Sequence, residues 1–515
     1  MSRPRLTLLL ALSVVPLLAA RPARADEVLD LRDALRRALA GNHELQRTAL
    51  DLDAAGARLG GARGQFDFVL GADFQAKQTR TPERFPSEIN LTDPMSSRID
   101  FMAGTQTDLT GSLRLMRALE SGGQVALALS ATRTDSTSAL TSGALFGSTG
   151  GSTAPTSFWQ VPITLTVSHP LWKNLGPALA TIQVRRAALL RDLEALRRAR
   201  TATDLVRDVV TAYWDLAYQS RDLDIRRGAL RLAEDQLQQT RELIAVGRAA
   251  PLDLHAVQAA IADRDEQVLL GETLLLEASL RLRRLCGEPP SSGLLRAAPP
   301  PPLTERVVVV DSLLQRALQQ NPSLLVLRHG TRLQELDVQA AENSLRPQLD
   351  FTGSFGALGR KTEFVDSLRE AFKFSSLSFS AGLSFTLPLQ NRAARGNAAA
   401  ARLQLKRGRV EIAELEAVTA EAVIRLAAAL RVAARRVEVT RGGARAATGS
   451  LQAERARFDA GRATNHDLLR RQEELSVAQL REARAVIDYL RAEAALDAVT
   501  GENLDRHGLA LQPAR

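Results

Sequence analysis

The chain has 515 residues, of which 45% are hydrophobic, and carries 67 Lys and Arg against 58 Asp and Glu for a formal net charge of +9. That length suits two or three ordinary domains. A single cysteine, Cys286, excludes an internal disulfide, and the interleaving of arginine with acid, as in Arg221-Asp222-Leu223-Asp224, reads as a solvated helix face and not as a basic stripe for nucleic acid.

Residues 1–25 read as a secretory leader. Arg3 and Arg5 are basic, Leu6 to Leu18 is apolar, and Ala23-Arg24-Ala25 fits a small-x-small cleavage site before Asp26. The apolar stretch is too short for a spanning helix, and no later stretch approaches the roughly 20 apolar residues such a helix needs. A chain of this kind crosses a membrane only with strands closed into a barrel, because lipid cannot satisfy open backbone groups.

The rest of the chain divides into a first repeat (26–286), a Pro-rich linker (287–309), a second repeat (310–502) and a tail (503–515). Leu35, Arg37, Ala38, Leu39, Asn42 and Leu45 recur in the same spacing as Leu314, Arg316, Ala317, Leu318, Asn321 and Leu324. Gly247-Arg-Ala-Ala-Pro-Leu-Asp-Leu254 aligns with Gly461-Arg-Ala-Thr-Asn-His-Asp-Leu468, and that register runs without a gap to Gly287-Glu288 and Gly501-Glu502. Upstream, Val209, Leu216, Leu223, Leu230, Leu237 and Ile244 are spaced by seven, as are Val423, Leu430, Val437, Ala444, Leu451 and Phe458. A sustained seven-residue repeat predicts a left-handed coiled coil. Each half then reads as helix, strand region, long helix, tight turn and return helix. The first half gives about 29–63, 66–169, 178–247 and 252–286, and the second about 310–345, 347–387, 392–461 and 466–500. The long helices would each reach roughly 105 Å. Gly247 and Gly461 are natural helix stops, and the linker is expected to form a non-helical belt.

The few aromatic residues gather in the strand regions, among them Phe66, Phe74, Trp159, Trp172, Phe351, Phe379 and Phe385, as in the interfacial girdles of membrane barrels. Leu377, Phe379, Ala381, Leu383, Phe385 and Leu387 alternate with smaller or polar residues, the period of a two-faced strand. The first half offers four candidate strands, about 66–77, 108–117, 123–132 and 158–169. The Ser/Thr/Gly-rich stretches 78–107 and 134–157 are expected to be loops. Two arrangements of the 108–132 hairpin are open: two further barrel strands, or a decoration beside a narrower barrel. The lack of a matching hairpin in the second half, and Arg117 on the same face as Leu113 and Leu115, favour the decoration.

The doubled Ala-Leu-x-x-Asn-x-x-Leu segments, the junctions His169-Pro170-Leu171-Trp172 and Leu387-Pro388-Leu389, and the turns Val246-Gly247-Arg248 and Phe458-Asp-Ala-Gly461-Arg462 together resemble the TolC-like outer membrane efflux proteins across essentially the whole mature chain. The resemblance implies a mainly α fold with a membrane β-barrel portion: long antiparallel helices forming a periplasmic tunnel, and strands pooled in one barrel by a homotrimer, commonly four per protomer. It implies a passive exit duct for efflux or type I secretion. That duct sits in outer membrane lipid and docks onto a periplasmic membrane fusion protein and an inner-membrane transporter. The adaptor-contacting tip would be Gly247, Arg248, Gly461 and Arg462. Family tips carry an acidic entrance ring. Asp467 matches one of its positions, Asp253 is the repeat partner, and Arg470 stands where the best-known member has a further acid. A carboxylate in the first turn of a helix is also favourable in its own right.

No phosphate loop, zinc-protease helix or serine-nucleophile elbow occurs. The six histidines, His43, His169, His255, His329, His466 and His507, lack metal-ligand spacing, so neither an enzyme nor a cofactor site is expected. A periplasmic coiled-coil adaptor would share the export signal and the helices but not two matched strand regions. A secreted coiled-coil binding protein is the other alternative.

Overall fold

The structure, a computed structural model, describes residues 27–88, 98–144, 147–246, 250–303 and 306–509. The leader with its cleavage site, and the turn residues Gly247 and Arg248, lie outside the described residues. In chain order the elements are β1 (Glu27–Leu29), α1 (Leu31–Gly41), α2 (His43–Arg63), β2 (Val69–Glu88), β3 (Arg98–Ala118), β4 (Gln124–Ala144), β5 (Gly147–Pro170), α3 (Pro177–Ala180), α4 (Ile182–Ala245), α5 (Pro251–Leu285), β6 (Leu295–Ala297), α6 (Val310–Gln320), α7 (Pro322–Asn343), β7 (Gln348–Lys361), α8 (Phe364–Phe372), β8 (Leu377–Thr386), α9 (Arg392–Asp459), α10 (Asn465–Thr500) and α11 (Asn503–Arg506). They fall into two compact units. Among the described residues, one draws on 27–48, 198–322 and 416–509, and the other on 49–197 and 323–415.

The first unit is helical and holds the main apolar core. The seven-residue rows turn inward as predicted: Val209, Leu216 and Leu223 on α4 and Val423, Leu430, Val437 and Ala444 on α9 are all buried. Each fully buried Val or Leu contributes about 1.5–3 kcal/mol. The expected belt is non-helical but more ordered than expected, because β6 pairs in parallel with β1. Tyr213 fastens that pair: its hydroxyl donates to Leu29 O (2.9 Å) and accepts from Ala298 N (3.0 Å).

Two helices expected as single pieces are each broken at an asparagine. Asn42 Oδ1 accepts from the amides of Glu44 (2.9 Å) and Leu45 (3.1 Å), so it caps α2 and separates it from α1. Asn321 divides α6 from α7, whose first residue is Pro322. Proline suits a first helical position and not an interior one. The sequence-matched segments then make matching contacts. Asn42 Nδ2 donates to Leu285 O and Asn321 Nδ2 to Val499 O, both at 3.0 Å. Arg37 pairs with Glu288 and Arg316 with Glu502. Gly287 (φ +71°) and Gly501 (φ +80°) both close their helices in the left-handed conformation. A Cβ on Gly287 would lie 1.9 Å from Gly41 O, and one on Gly501 2.8 Å from Gln320 O. Beside the first of these docks Cys286 is buried, as a small hydrophobe would be, and burial pushes its thiol pKa up to about 11.

The second unit is built on a six-stranded antiparallel sheet in the order β2-β3-β4-β5-β7-β8. This corrects two expectations. The 108–132 hairpin is not a decoration: β3 and β4 lie inside the sheet, between β2 and β5, in continuous register from Arg98↔Ala144 to Ala118↔Gln124. The expected loops are largely strand, since pairing continues to Glu88↔Arg98 and Ala144↔Gly147. Thr recurs there, and it is β-branched and fits a pleated surface. Helix α8, between β7 and β8, is a further element not anticipated.

Candidate functional site

The sheet has two chemically opposite faces. Register brings Leu70 opposite Leu115, Ala72 opposite Leu113, Leu113 opposite Leu129, Leu127 opposite Leu165, Leu165 opposite Phe355, and Phe355 opposite Phe379. Because side chains alternate along a strand, one face is apolar across all six strands. Its large side chains are mostly exposed, with Phe74 at 78% and Phe379 at 81%. The other face carries Asp73, Gln75, Ser112, Arg114, Thr132, Thr164, Thr166, Ser354, Ser380 and Ser384. Hydroxyls pair across that face, Thr110 with Thr132 at 3.0 Å and Ser354 with Ser380 at 2.7 Å.

Arg117, which looks misplaced in the sequence, lies at the end of the apolar band. Its Nε donates to Phe66 O (3.0 Å) and its guanidinium stands 4.8 Å from the Phe68 ring centroid. At the same end the β3–β4 turn meets the strand-to-helix junction: the Gly176 amide donates to Ser121 O, and His169 Nε2 lies 3.2 Å from Ser121 Oγ. The opposite end of the band is marked by Trp159↔Lys361, where β7 stops pairing with β5. Here α8 lies on the apolar face. Ser367 Oγ donates to Trp159 O (3.1 Å) and accepts from Lys361 N (2.9 Å). Trp159 and Phe364 meet edge to face at 5.2 Å. Gly359 permits this approach, since a Cβ there would fall 1.8 Å from Ser367 O. Val365 and Phe372 of α8 remain exposed.

The helix-end turns are described on the second side only. Gly461 has φ +70°, and the amides of Gly461 and Arg462 donate back to Phe458 O (2.9 Å) and Arg457 O (2.8 Å), the 5→2 and 6→1 bonds of a Schellman cap. Thr464 and Asp467 then form a reciprocal capping box at the start of α10. The Asp467 amide donates to Thr464 Oγ1 (3.2 Å), while Asp467 Oδ2 accepts from Thr464 N (3.1 Å) and Thr464 Oγ1 (2.7 Å). The hydrogen bond from the Thr464 side chain, then the one from its backbone, holds the Asp467 carboxyl below the ordinary carboxylate range. Asp253 stands in the same place at the start of α5, where its carboxylate accepts from Ala250 N at 3.3 Å. Arg470 is engaged by Glu474 (3.1 Å). The structure does not gather Asp253, Asp467 and Arg470 into one cluster with each other through any hydrogen bond or ion pair among the described residues.

Sequence reasoning assigned no role to Gln236, Thr240, Arg264 and Gln472, and placed Asn465 only as a helix start. Asn465 Oδ1 accepts from Gln236 Nε2 (2.6 Å) and Thr240 Oγ1 (3.2 Å), all three buried. Arg264, also buried, donates to Gln472 Oε1 (3.0 Å) and Ala229 O (2.9 Å). Polar residues facing inward from a heptad helix are the signal that exposes such register-setting contacts. Among the described residues no group of three or more His, Cys, Asp or Glu side chains is placed to hold a metal, and no helix is long and apolar enough to cross a membrane.

Against known proteins, residues 124–288 and 313–502 match the family described as outer membrane efflux protein. The outer membrane protein TolC of Vibrio cholerae is 25% identical over 157 residues, a match spanning 30% of this chain and 36% of that relative. Among solved structures, the outer-membrane channel OprN superposes with a TM-score of 0.65 at 15% identity, covering 92% of this chain and 89% of that one. The outer membrane protein VceC of Vibrio cholerae superposes at 0.63 with 14% identity, covering 92% and 96%. These likenesses share a fold. The family match covers most of the chain, in both sequence-matched halves, and so the chain belongs to the outer membrane efflux protein family, a transport protein of the outer membrane.

Proposed function

We propose that the chain is one subunit of a homotrimeric channel, the passive exit duct of a tripartite efflux or type I secretion system, built from two internal repeats. The observation that carries this is an open sheet whose apolar face is exposed and whose outer strands, β2 and β8, each have one partner among the described residues. An open edge in lipid leaves backbone groups unsatisfied at several kcal/mol each, so the sheet requires closure by further strands. With the apolar face to lipid, the Ser/Thr face lines an aqueous lumen. The helix α9 adds a second exposed apolar surface: within the helical unit, Val418, Ile424, Val432 and Val439 recur at six- to eight-residue spacing and are all exposed. That row fits a neighbouring helix of another copy, in a tunnel on the periplasmic side.

The turns at Gly247–Arg248 and Gly461–Arg462 are the proposed contact for a periplasmic membrane fusion protein, and through it for an inner-membrane transporter. Asp253, Asp467 and Arg470 would stand at the entrance that these turns surround. Since each already has a partner within its own chain, a gate there works by moving whole helix ends and not by a free acidic ring. The chain acts without catalysis.

Isolated outer membranes test the reading. A heat-modifiable trimer there is expected, and deletion of the gene should sensitise cells to the exported compound. Recovery as a monomer from the soluble periplasm would overturn it. Bulky replacements at both Gly247 and Gly461 should abolish export while trimers persist. Normal export in that double variant would remove the tip assignment.

A further inference from the structure

The hairpin that the first half has and the second lacks, β3–β4, carries the same chemistry as the strands around it. On β3, Leu113 and Leu115 point to the apolar face, while Ser112 and Arg114 point to the other. On β4, Leu127 and Leu129 share the apolar face, and Ala128 and Ser130 oppose them. Leu113 and Leu127 are exposed, although strands flank them on both sides. Among the described residues no layer covers them, which is the condition of a side chain meant for lipid.

Strand direction gives an independent constraint. All five neighbouring pairs of the sheet are antiparallel. Inserting strands two at a time therefore keeps β2 and β8 running in opposite directions, and β8 of one copy meets β2 of the next as an ordinary antiparallel pair. β8 has 10 residues, within the about 9–11 residues that cross a bilayer, and the apolar stretch of β2 that would meet it, from Leu70 to Ala76, has seven. Beyond it β2, β3, β4 and β5 continue pairing without β7 or β8, so the joint between copies is confined to the apolar band.

Resting on the trimeric reading above, we infer that β3 and β4 are membrane-spanning staves, that each chain supplies six strands, and that three copies close an eighteen-stranded barrel through β2–β8 joints. Barrel diameter grows roughly linearly with strand number. The exit is therefore about 1.5 times as wide as a twelve-stranded ring, and the wide end of the duct suits bulky cargo.

Site-directed fluorescence quenching tests this on the full-length trimer in bilayers of brominated lipid. Bimane on L113C and L127C should lose several-fold of its emission, as on F74C and F379C, which face lipid in either arrangement. Bimane on S112C and A128C should keep most of its emission. The buried Cys286 stays unlabelled, and the unmodified protein sets the background. Quenching at Phe74 and Phe379 but not at Leu113 and Leu127 would overturn the eighteen-stranded barrel and leave the channel standing. Quenching at none of them would overturn the membrane reading itself. Should the variants fail to assemble, electron cryo-microscopy of the unmodified trimer decides: eighteen strands support the inference and twelve refute it.

Discussion

The helix docks beside the belt and the strand regions of the sheet have followed different rules. The docks are the same twice over: Asn42 on Leu285 and Asn321 on Val499, Arg37 on Glu288 and Arg316 on Glu502, with a left-handed glycine closing each. The strand regions differ, four strands in the first half against two strands and α8 in the second. The reason is slack. Each dock brings backbone against backbone, so that even a Cβ at Gly41 would lie 2.4 Å from Cys286 O; a change there has nowhere to go. An antiparallel sheet accepts an extra hairpin whenever strands arrive in pairs, because its neighbours keep their partners and its edges keep their directions.

That contrast can be broken at graded strengths. The largest effect is expected within the sheet, where Gly359→Val would drive a side chain into the Ser367 carbonyl and the Ala371 amide, 1.8 and 2.7 Å from a Cβ. Detachment of α8 should cost more than about 3 kcal/mol, read as a large fall in the thermal unfolding temperature of the purified protein and new proteolysis near α8. Gly382→Ala, in β8 with open space around it, should be nearly silent in the same assay. Next comes Asn42→Ala, which removes both the α2 cap and the bond to Leu285 O, for about 2–3 kcal/mol. Asn321→Ala should act in the same direction but less, since Pro322 already starts α7; equal losses would show that the docks are energetically as well as geometrically alike.

Smaller again is the pair of left-handed glycines. Gly461→Ala meets open space and should lose only the conformational preference, about 1 kcal/mol. Gly501→Ala adds the contact with Gln320 O at 2.8 Å and should lose measurably more. The smallest effect belongs to Asp467→Asn. The native Asp467 pKa lies below its ordinary value, so the cap stabilises α10 fully above the ordinary carboxylate range and loses that contribution as pH falls through the native pKa. Hydrogen exchange at the first turn of α10 should therefore be faster in the variant at neutral pH, and the difference should vanish in acid.

Much of this molecule was legible in one dimension. Seven-residue spacing named the buried rows at Val209, Leu216, Val423 and Leu430, because a helix repeats its faces locally. The doubled Asn and Gly-Glu segments marked the residues of both docks, though not that they meet, and Gly461 marked a helix end, because left-handed backbone selects for glycine. The breaks at Asn42 and Asn321, the β1–β6 pair, the capping duty of Asp467 and the place of the 108–132 hairpin were decided only in three dimensions. Alternation along β3 and β4 states which side chains share a face. It cannot state which strands lie alongside, since pairing joins residues far apart in sequence and Ser/Thr-rich stretches serve equally as loop or strand until a neighbour supplies their hydrogen bonds.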